Sequence, residues 1–140
     1  MDNSVKLIDK RDGKIYGLLI FSEYNISNGS PLREFNYDLW QYFYNVKQIN
    51  GHSFVIDERL RGTKLDKKML LYNMDYITQF DLIWIGVEKS LKTDNYWKRL
   101  GFEEILDIEE AKFYIKTKDK KDMLEIFILK ALSENENNYN

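Results

Sequence analysis

The chain has 140 residues, 44% of them hydrophobic and 15% aromatic, with 21 Lys and Arg against 23 Asp and Glu for a net charge of −2. This length and apolar content describe one folded domain and exclude a disordered polar chain, while the dispersed, near-balanced charge offers no basic face for nucleic acid. With no Cys and one His, His52, disulfides, thiol nucleophiles, thiolate metal sites and multi-histidine zinc sites are excluded.

Val5–Asp9 and Ile15–Phe21 are strand-like runs, and the Asp12-Gly13 between them is a hairpin signal because glycine supplies the positive φ of a tight turn. Asn25–Ser30 is rich in Asn, Ser and Gly and reads as a loop, and Ser30-Pro31 as the start of a helix. Leu32, Phe35, Leu39, Phe43 and Val46 recur at helical spacing, so a helix is expected over 31–48, although Trp40, Tyr42, Tyr44 and Val46 also fit the alternation of a strand. Asn50-Gly51 ends this element and a short strand follows at Ser53–Ile56. A charged turn, Asp57–Asp66, opens a helix whose apolar residues are Leu65, Met69, Tyr72, Tyr76 and Phe80. Leu82–Val87 is too continuously apolar for a strand with one wet face and is expected to be buried on both. Strand, helix and buried strand make a βαβ unit, whose helix start is a natural anion site.

Lys92–Leu100 is expected to be helical, with Tyr96, Trp97 and Leu100 turned inward and Gly101 ending it. Phe102–Leu106 continues as a strand. Ala111–Lys116 and Leu124–Leu129, joined by Lys118–Asp122, form an antiparallel pair. Residues 133–140 are a polar tail, leaving 1–132 as a single domain. No apolar run approaches the roughly 18 residues of a membrane span and no signal peptide is visible, so the expected address is cytoplasmic, with no membrane partner.

Two segments carry a specific resemblance. Ile56–Leu70, with Arg61-Gly62-Thr63-Lys64-Leu65-Asp66 at its centre, resembles the acetyl-CoA-binding segment of the GNAT superfamily of N-acetyltransferases, and Trp97-Lys98-Arg99-Leu100-Gly101-Phe102 resembles that superfamily's aromatic-x-x-Leu-Gly-Phe motif. The likeness spans roughly residues 5–130, with both motifs in the family order around one buried strand. It implies an α/β (α+β) fold with a mixed, mostly antiparallel sheet and a central βαβ unit binding CoA. It also implies that successive backbone N–H groups from Arg61 to Asp66 cradle the pyrophosphate, that Ser90 stands near the cofactor, and that a backbone N–H at Val55 or Ile56 polarises the thioester.

The family pattern Arg/Gln-x-x-Gly-x-Gly/Ala, started at Arg61, puts its glycines on Lys64 and Asp66. Started at Arg59 it makes Gly62 the first glycine, but sets Lys67 and Lys68 where the helix should be apolar, and the Arg61 register is preferred. Many family members carry a tyrosine acid four residues before the Gly-Phe glycine; Trp97 stands there, and Tyr96, one residue and about 100° round the helix, is the candidate catalytic residue in its place. Glu58, just past the strand, is the candidate base, with His52 and Glu23 as further candidates. The chain is expected to start at the strand that follows the family's usual first strand and two helices, so either the segment 31–48 takes over that wall of the acceptor site or the chain is a divergent or truncated member; the aromatic residues of 31–48 are expected to serve core packing, a homodimer interface or the acceptor pocket. The function implied is N-acyl transfer, with acetyl-CoA as cosubstrate and a primary amine of a small molecule or peptide as acceptor, without a metal. A catalytically silent binding or assembly module of the same fold is the alternative.

Overall fold

In the computed structural model, which describes residues 2–9 and 11–117, Asp2–Ile8 (β1) and Ile15–Ser22 (β2) form an antiparallel hairpin. Its turn closes where expected: Asp9 N–H donates to Lys14 C=O and Gly13 N–H to Asp9 C=O, with Gly13 at φ +72°. The segment read as a loop instead begins with a helical turn, Ile26–Gly29 (α1), because the Asn25 side chain accepts the Ser27 N–H and caps it. The single helix expected over 31–48 is two helices, Leu32–Phe35 (α2) and Tyr37–Tyr44 (α3). They are separated at Asn36, whose extended backbone (φ −156°) and side chain cap α3 through Leu39 N–H.

Gln48–Ile56 (β3) begins five residues earlier than Ser53. Its early part was disguised by polar residues that are buried here because their hydrogen bonds are met. Gln48 accepts Ile26 N–H at 2.7 Å and donates to Phe43 C=O at 2.8 Å, and Asn50 Nδ2 donates to Trp84 C=O at 3.1 Å. Asn50-Gly51 is therefore strand interior, not a boundary. After a short 3-10 turn at Glu58–Leu60 come Leu65–Tyr72 (α4) and Met74–Ile77 (α5), so the helix expected to reach Phe80 breaks at Asn73. Leu82–Glu88 (β4), a turn at Lys89–Leu91, Asp94–Arg99 (α6), Glu103–Asp107 (β5) and Ala111–Thr117 (β6) complete the described chain. Gly101, at φ +89°, ends α6 as expected.

The six strands lie in the order β1-β2-β3-β4-β6-β5, antiparallel everywhere except between β3 and β4. The expected partner of Ala111–Lys116, at 124–129, and the segments 118–122 and 133–140 lie outside the described residues. Within them, β6 pairs with β4 on one side and β5 on the other. Alternation along β4 feeds two cores: Ile83 and Ile85 pack with Leu19, Met69, Leu70, Ile77 and Leu100 under α4–α6, and Leu82 and Trp84 with Ile26, Leu32, Phe43 and Phe113 under α1–α3. Leu82–Ile85 is thus buried on both faces, as its unbroken apolar run predicts, and the strand emerges into solvent toward Glu88.

Candidate active site

β3 and β4 pair over only three residues, Gln48 with Leu82, Ile49 with Ile83 and Asn50 with Trp84. Beyond them β3 stays with β2 and β4 stays with β6, so the two strands open into a fork. A bulge begins the divergence: Phe21 faces Gly51 but Ile20 faces Ser53, leaving His52 as the extra residue. Gly51 is needed at this point, since a Cβ there would stand 2.8 Å from Ile85 Cγ2. Asp57 N–H donates to Tyr16 C=O at 2.7 Å, which fixes the phase of β3. Antiparallel alternation then turns Val55 toward Leu18 and turns the main-chain groups of Phe54 and Ile56 into the fork. Of the two backbone donors expected, Ile56 faces the fork and Val55 does not; Phe54, which the sequence did not single out, does.

The loop leaving β3 is held by its own side chains. Asp57 accepts Arg59 N–H and pairs with its guanidinium at 3.0 Å, and Thr63 donates its hydroxyl to Leu60 C=O. Gly62 (φ +82°) and Lys64 (φ +64°) both adopt the left-handed conformation. They are two residues apart, the spacing of the two motif glycines when the pattern starts at Arg59. In the preferred Arg61 register the second glycine position, Asp66, lies inside α4. The objection to the Arg59 start was a lysine pair on an apolar face. Lys67 resolves it by laying its half-buried stem along Tyr96, with Nζ 5.2 Å from the ring centroid.

Lys64 is the N-cap of α4 and has no side-chain oxygen with which to accept the first-turn N–H groups of Leu65, Asp66 and Lys67. Arg61, Lys64, Lys67 and Lys68 surround this helix start, adding to the positive end of its dipole. Asp66, the residue most at odds with an anion here, is turned away. Its Oδ2 accepts the Tyr96 hydroxyl at 2.8 Å and pairs with Lys67 Nζ at 3.0 Å, joining α4 to α6. Burial first, and then the charge and hydrogen bond of Asp66, push the Tyr96 hydroxyl far above its ordinary range. Tyr96 therefore keeps its proton and offers it to Asp66.

Phe54 packs edge-on against Tyr96 and Trp97, with centroids 6.5 and 6.3 Å away, and Trp97 meets Phe102 in the same way at 5.7 Å. Beneath these rings, where the fork opens, is a cavity of about 30 Å³ lined wholly by apolar residues, among them Gly51, Phe54, Leu70, Ile85 and Trp97. α6 is anchored at both ends. Asp94 accepts the Tyr114 hydroxyl and pairs with Lys98 at 3.0 Å, contacts that hold its carboxyl below the usual range. Lys116, 2% exposed, donates to Leu100 C=O at 3.1 Å as a C-terminal cap, and burial lowers its pKa.

Glu58 and Ser90 are both exposed, one on the turn after β3 and one on the turn after β4, so they stand on opposite lips of the fork. His52 is exposed on the bulge, Nδ1 3.0 Å from Ser53 Oγ. Glu23 follows the end of β2 that faces Asn50, at the closed end of the fork and away from its mouth. No group of three or more His, Asp or Glu able to hold a metal occurs among the described residues.

A parallel strand pair that splays after three residues, with a left-handed basic loop and helix start at one lip and an aromatic helix at the other, defines a class. The chain has the fold of the GNAT superfamily, as the comparison of structures establishes. An acetyltransferase from Bacillus cereus superposes with a TM-score of 0.60 at 17% identity, covering 84% of this chain and 73% of its own. The nucleotide-linked sugar GNAT FdhC gives 0.61 at 16%, covering 89% and 62%. A GNAT-family acetyltransferase from Staphylococcus aureus gives 0.59 at 15%, covering 84% and 68%. No protein-family model and no curated protein matches the chain by sequence.

Proposed function

We propose that this protein is an N-acyltransferase that takes an acyl group from acyl-CoA, acetyl-CoA in the simplest case, and delivers it to a primary amine of a small molecule or peptide. The observation that carries this reading is the β3–β4 fork with the left-handed residues Gly62 and Lys64 and the start of α4 at its lip. The pyrophosphate is assigned to the N–H groups from Gly62 to Lys67, with Arg61 and Lys64 supplying charge. Main-chain groups of Phe54 and Ile56 receive the pantetheine arm as an added strand, and Phe54 N–H, beside the cavity, donates to the thioester carbonyl and stabilises the oxyanion formed by amine attack.

Glu58, on the lip that follows β3, is assigned as the acceptor of the amine proton, directly or through water. Tyr96 is given an anchoring role, because its proton is held by Asp66 and its pKa is raised. The departing thiolate then takes its proton from solvent, which is feasible because a thiol ionises near pH 8.5. Ser90 flanks the arm from the opposite lip.

Isothermal titration with CoA and acetyl-CoA tests the donor site, and an amine panel with thiol release as readout tests transfer. Micromolar binding of both the thiol and the thioester is expected; no binding at millimolar concentration rejects the reading.

A further inference from the structure

Ile15–Phe21 of β2 is as unbroken an apolar run as that of β4, the signature of a strand covered on both faces. Only one of its faces is covered. Leu19 and Phe21 enter the core under α4–α6, whereas Tyr16, Leu18 and Ile20, which alternation turns the other way, join neither core among the described residues. Cross-strand pairing sets Val55 and Lys6 on either side of Leu18, and Ser53 and Ser4 on either side of Ile20, with Val55 60% exposed. α1–α3 lie on this same face of the sheet but pack on β4, β6 and β5, so the face has a covered half and an open half of three strands each. The helices carry a second unpartnered surface. α3 buries Phe43 toward its own sheet, which leaves Tyr37, Asp38 and Tyr42 on the outward side, and Tyr37, Tyr42 and Phe35 of α2 are between 49% and 70% exposed. These two surfaces cannot meet within one chain, because the helices already occupy the neighbouring half of the sheet with their aromatic side turned away from it.

We propose that the two surfaces cover each other in a twofold homodimer, in which α2 and α3 of each copy lie on the open β1–β3 half of the other. A twofold axis along the strands, at the boundary of β3 and β4 and level with the helices, does this in one step and sets the two helix layers side by side between two sheets. Such an interface is isologous and closed. Its charges agree: Lys6 stands on the open half and Asp38 between Tyr37 and Tyr42, and neither has an ion-pair partner among the described residues. Its area agrees as well. Three strands about 4.8 Å apart, each about seven residues long at about 3.3 Å per residue, present roughly 300 Å². Two open halves and the two helix faces on them therefore bury roughly 1,200 Å², the lower end of a specific interface.

Light scattering on the wild-type chain is expected to return twice the chain mass, with dissociation on dilution into the micromolar range that so small an interface supports. The chain has no Cys, so cross-links can be placed singly. A mixture of Val55→Cys and Tyr42→Cys chains treated with a short bis-maleimide is expected to give a covalent heterodimer that neither variant forms alone. Lys6→Asp and Asp38→Lys should each weaken association several-fold, and the double variant should recover the wild-type affinity, a rescue that loss of folding would not show. A monomer at about 100 μM overturns the proposal, and slow thiol labelling of Val55→Cys in that monomer would assign the open half to residues 118–140 of the same chain. A dimer in which Tyr42→Cys chains join each other and not the Val55→Cys chain overturns it too.

Discussion

Lys64 shows how a side chain can hide a backbone requirement. Its φ of +64° is the conformation in which glycine is normally placed, and for an L-residue it costs about 1–2 kcal/mol. The sequence pattern marked this position as a spoiled glycine; the backbone keeps the glycine's geometry and adds a charge. Lys64→Gly is therefore expected to raise stability by about 1 kcal/mol, a Tm increase of several degrees, while weakening CoA binding a few-fold. Thermal unfolding and titration measure the two effects separately, and an unchanged Tm would show that the lysine's own contacts offset the strain. Arg61, exposed just before these left-handed positions, carries its charge without a packing role. Arg61→Ala should leave Tm within about a degree and weaken CoA binding about ten-fold at low salt, with a smaller loss at high salt. Unchanged affinity at low salt rejects its assignment to the phosphates.

Between elements, the decisive contact is the Asp66–Tyr96 hydrogen bond, which ties the first turn of α4 to α6 across 30 residues of chain. Neither residue's partner could be read locally, since Asp66 looked like an obstacle to an anion and Tyr96 like a misplaced acid. A double-mutant cycle with Asp66→Ala and Tyr96→Phe should return a coupling of about 1–2 kcal/mol in denaturant unfolding, and additive losses would dismiss the pair. The raised Tyr96 pKa gives a signed prediction as well. Because the folded form holds its proton more tightly than an unfolded tyrosine near pH 10, stability is unaffected by this group below about pH 10. It falls above that pH, as the unfolded state ionises first. Tyr96→Phe should flatten part of that alkaline decline in unfolding midpoints followed from pH 8 to 11. The same logic of partners outside the strand explains β3: Gln48 and Asn50 carry no strand signal, and hydrogen bonds to Ile26, Phe43, Val46 and Trp84 make their burial tolerable.

At the scale of the molecule, one sheet divides two cores, and Trp84 is the residue that joins the second core to the helical segment above it. Its ring stacks on Phe113 at 6.3 Å, its Nε1 donates to Tyr24 C=O at 2.7 Å, and a Cβ on Gly29 would come within 2.8 Å of it. Trp84→Ala should cost about 3–5 kcal/mol, a large share of the 5–15 kcal/mol typical of a domain. Circular dichroism during thermal unfolding should show a much lower midpoint or loss of cooperativity, and a shift of under about five degrees would contradict this role. The exposed aromatics of α2 and α3, Phe35, Tyr37 and Tyr42 among them, belong to the same segment but point outward. Core packing, one ready explanation of the aromatic content of 31–48, thus accounts for Phe43 and the half-buried Trp40 and not for these.

What the sequence by itself determined is what short-range physics encodes: the Asp12-Gly13 turn, the doubly buried run of β4, the stop at Gly101, and the order of two motifs around one strand. Each depends on residues within a few positions of one another, where turn chemistry and apolar periodicity act. What only the tertiary structure decided is where strands part and which side chains meet. The fork depends on β3 and β4 taking different neighbours after Asn50 and Trp84. The loop register shows itself in two backbone torsions, and Asp66 finds Tyr96 only because α4 and α6 cover the same face of the sheet. These are long-range facts: pairing and burial between segments tens of residues apart, where hydrogen bonds met at a distance override the local preference of Gln48, Asn50, Lys64 and Asp66.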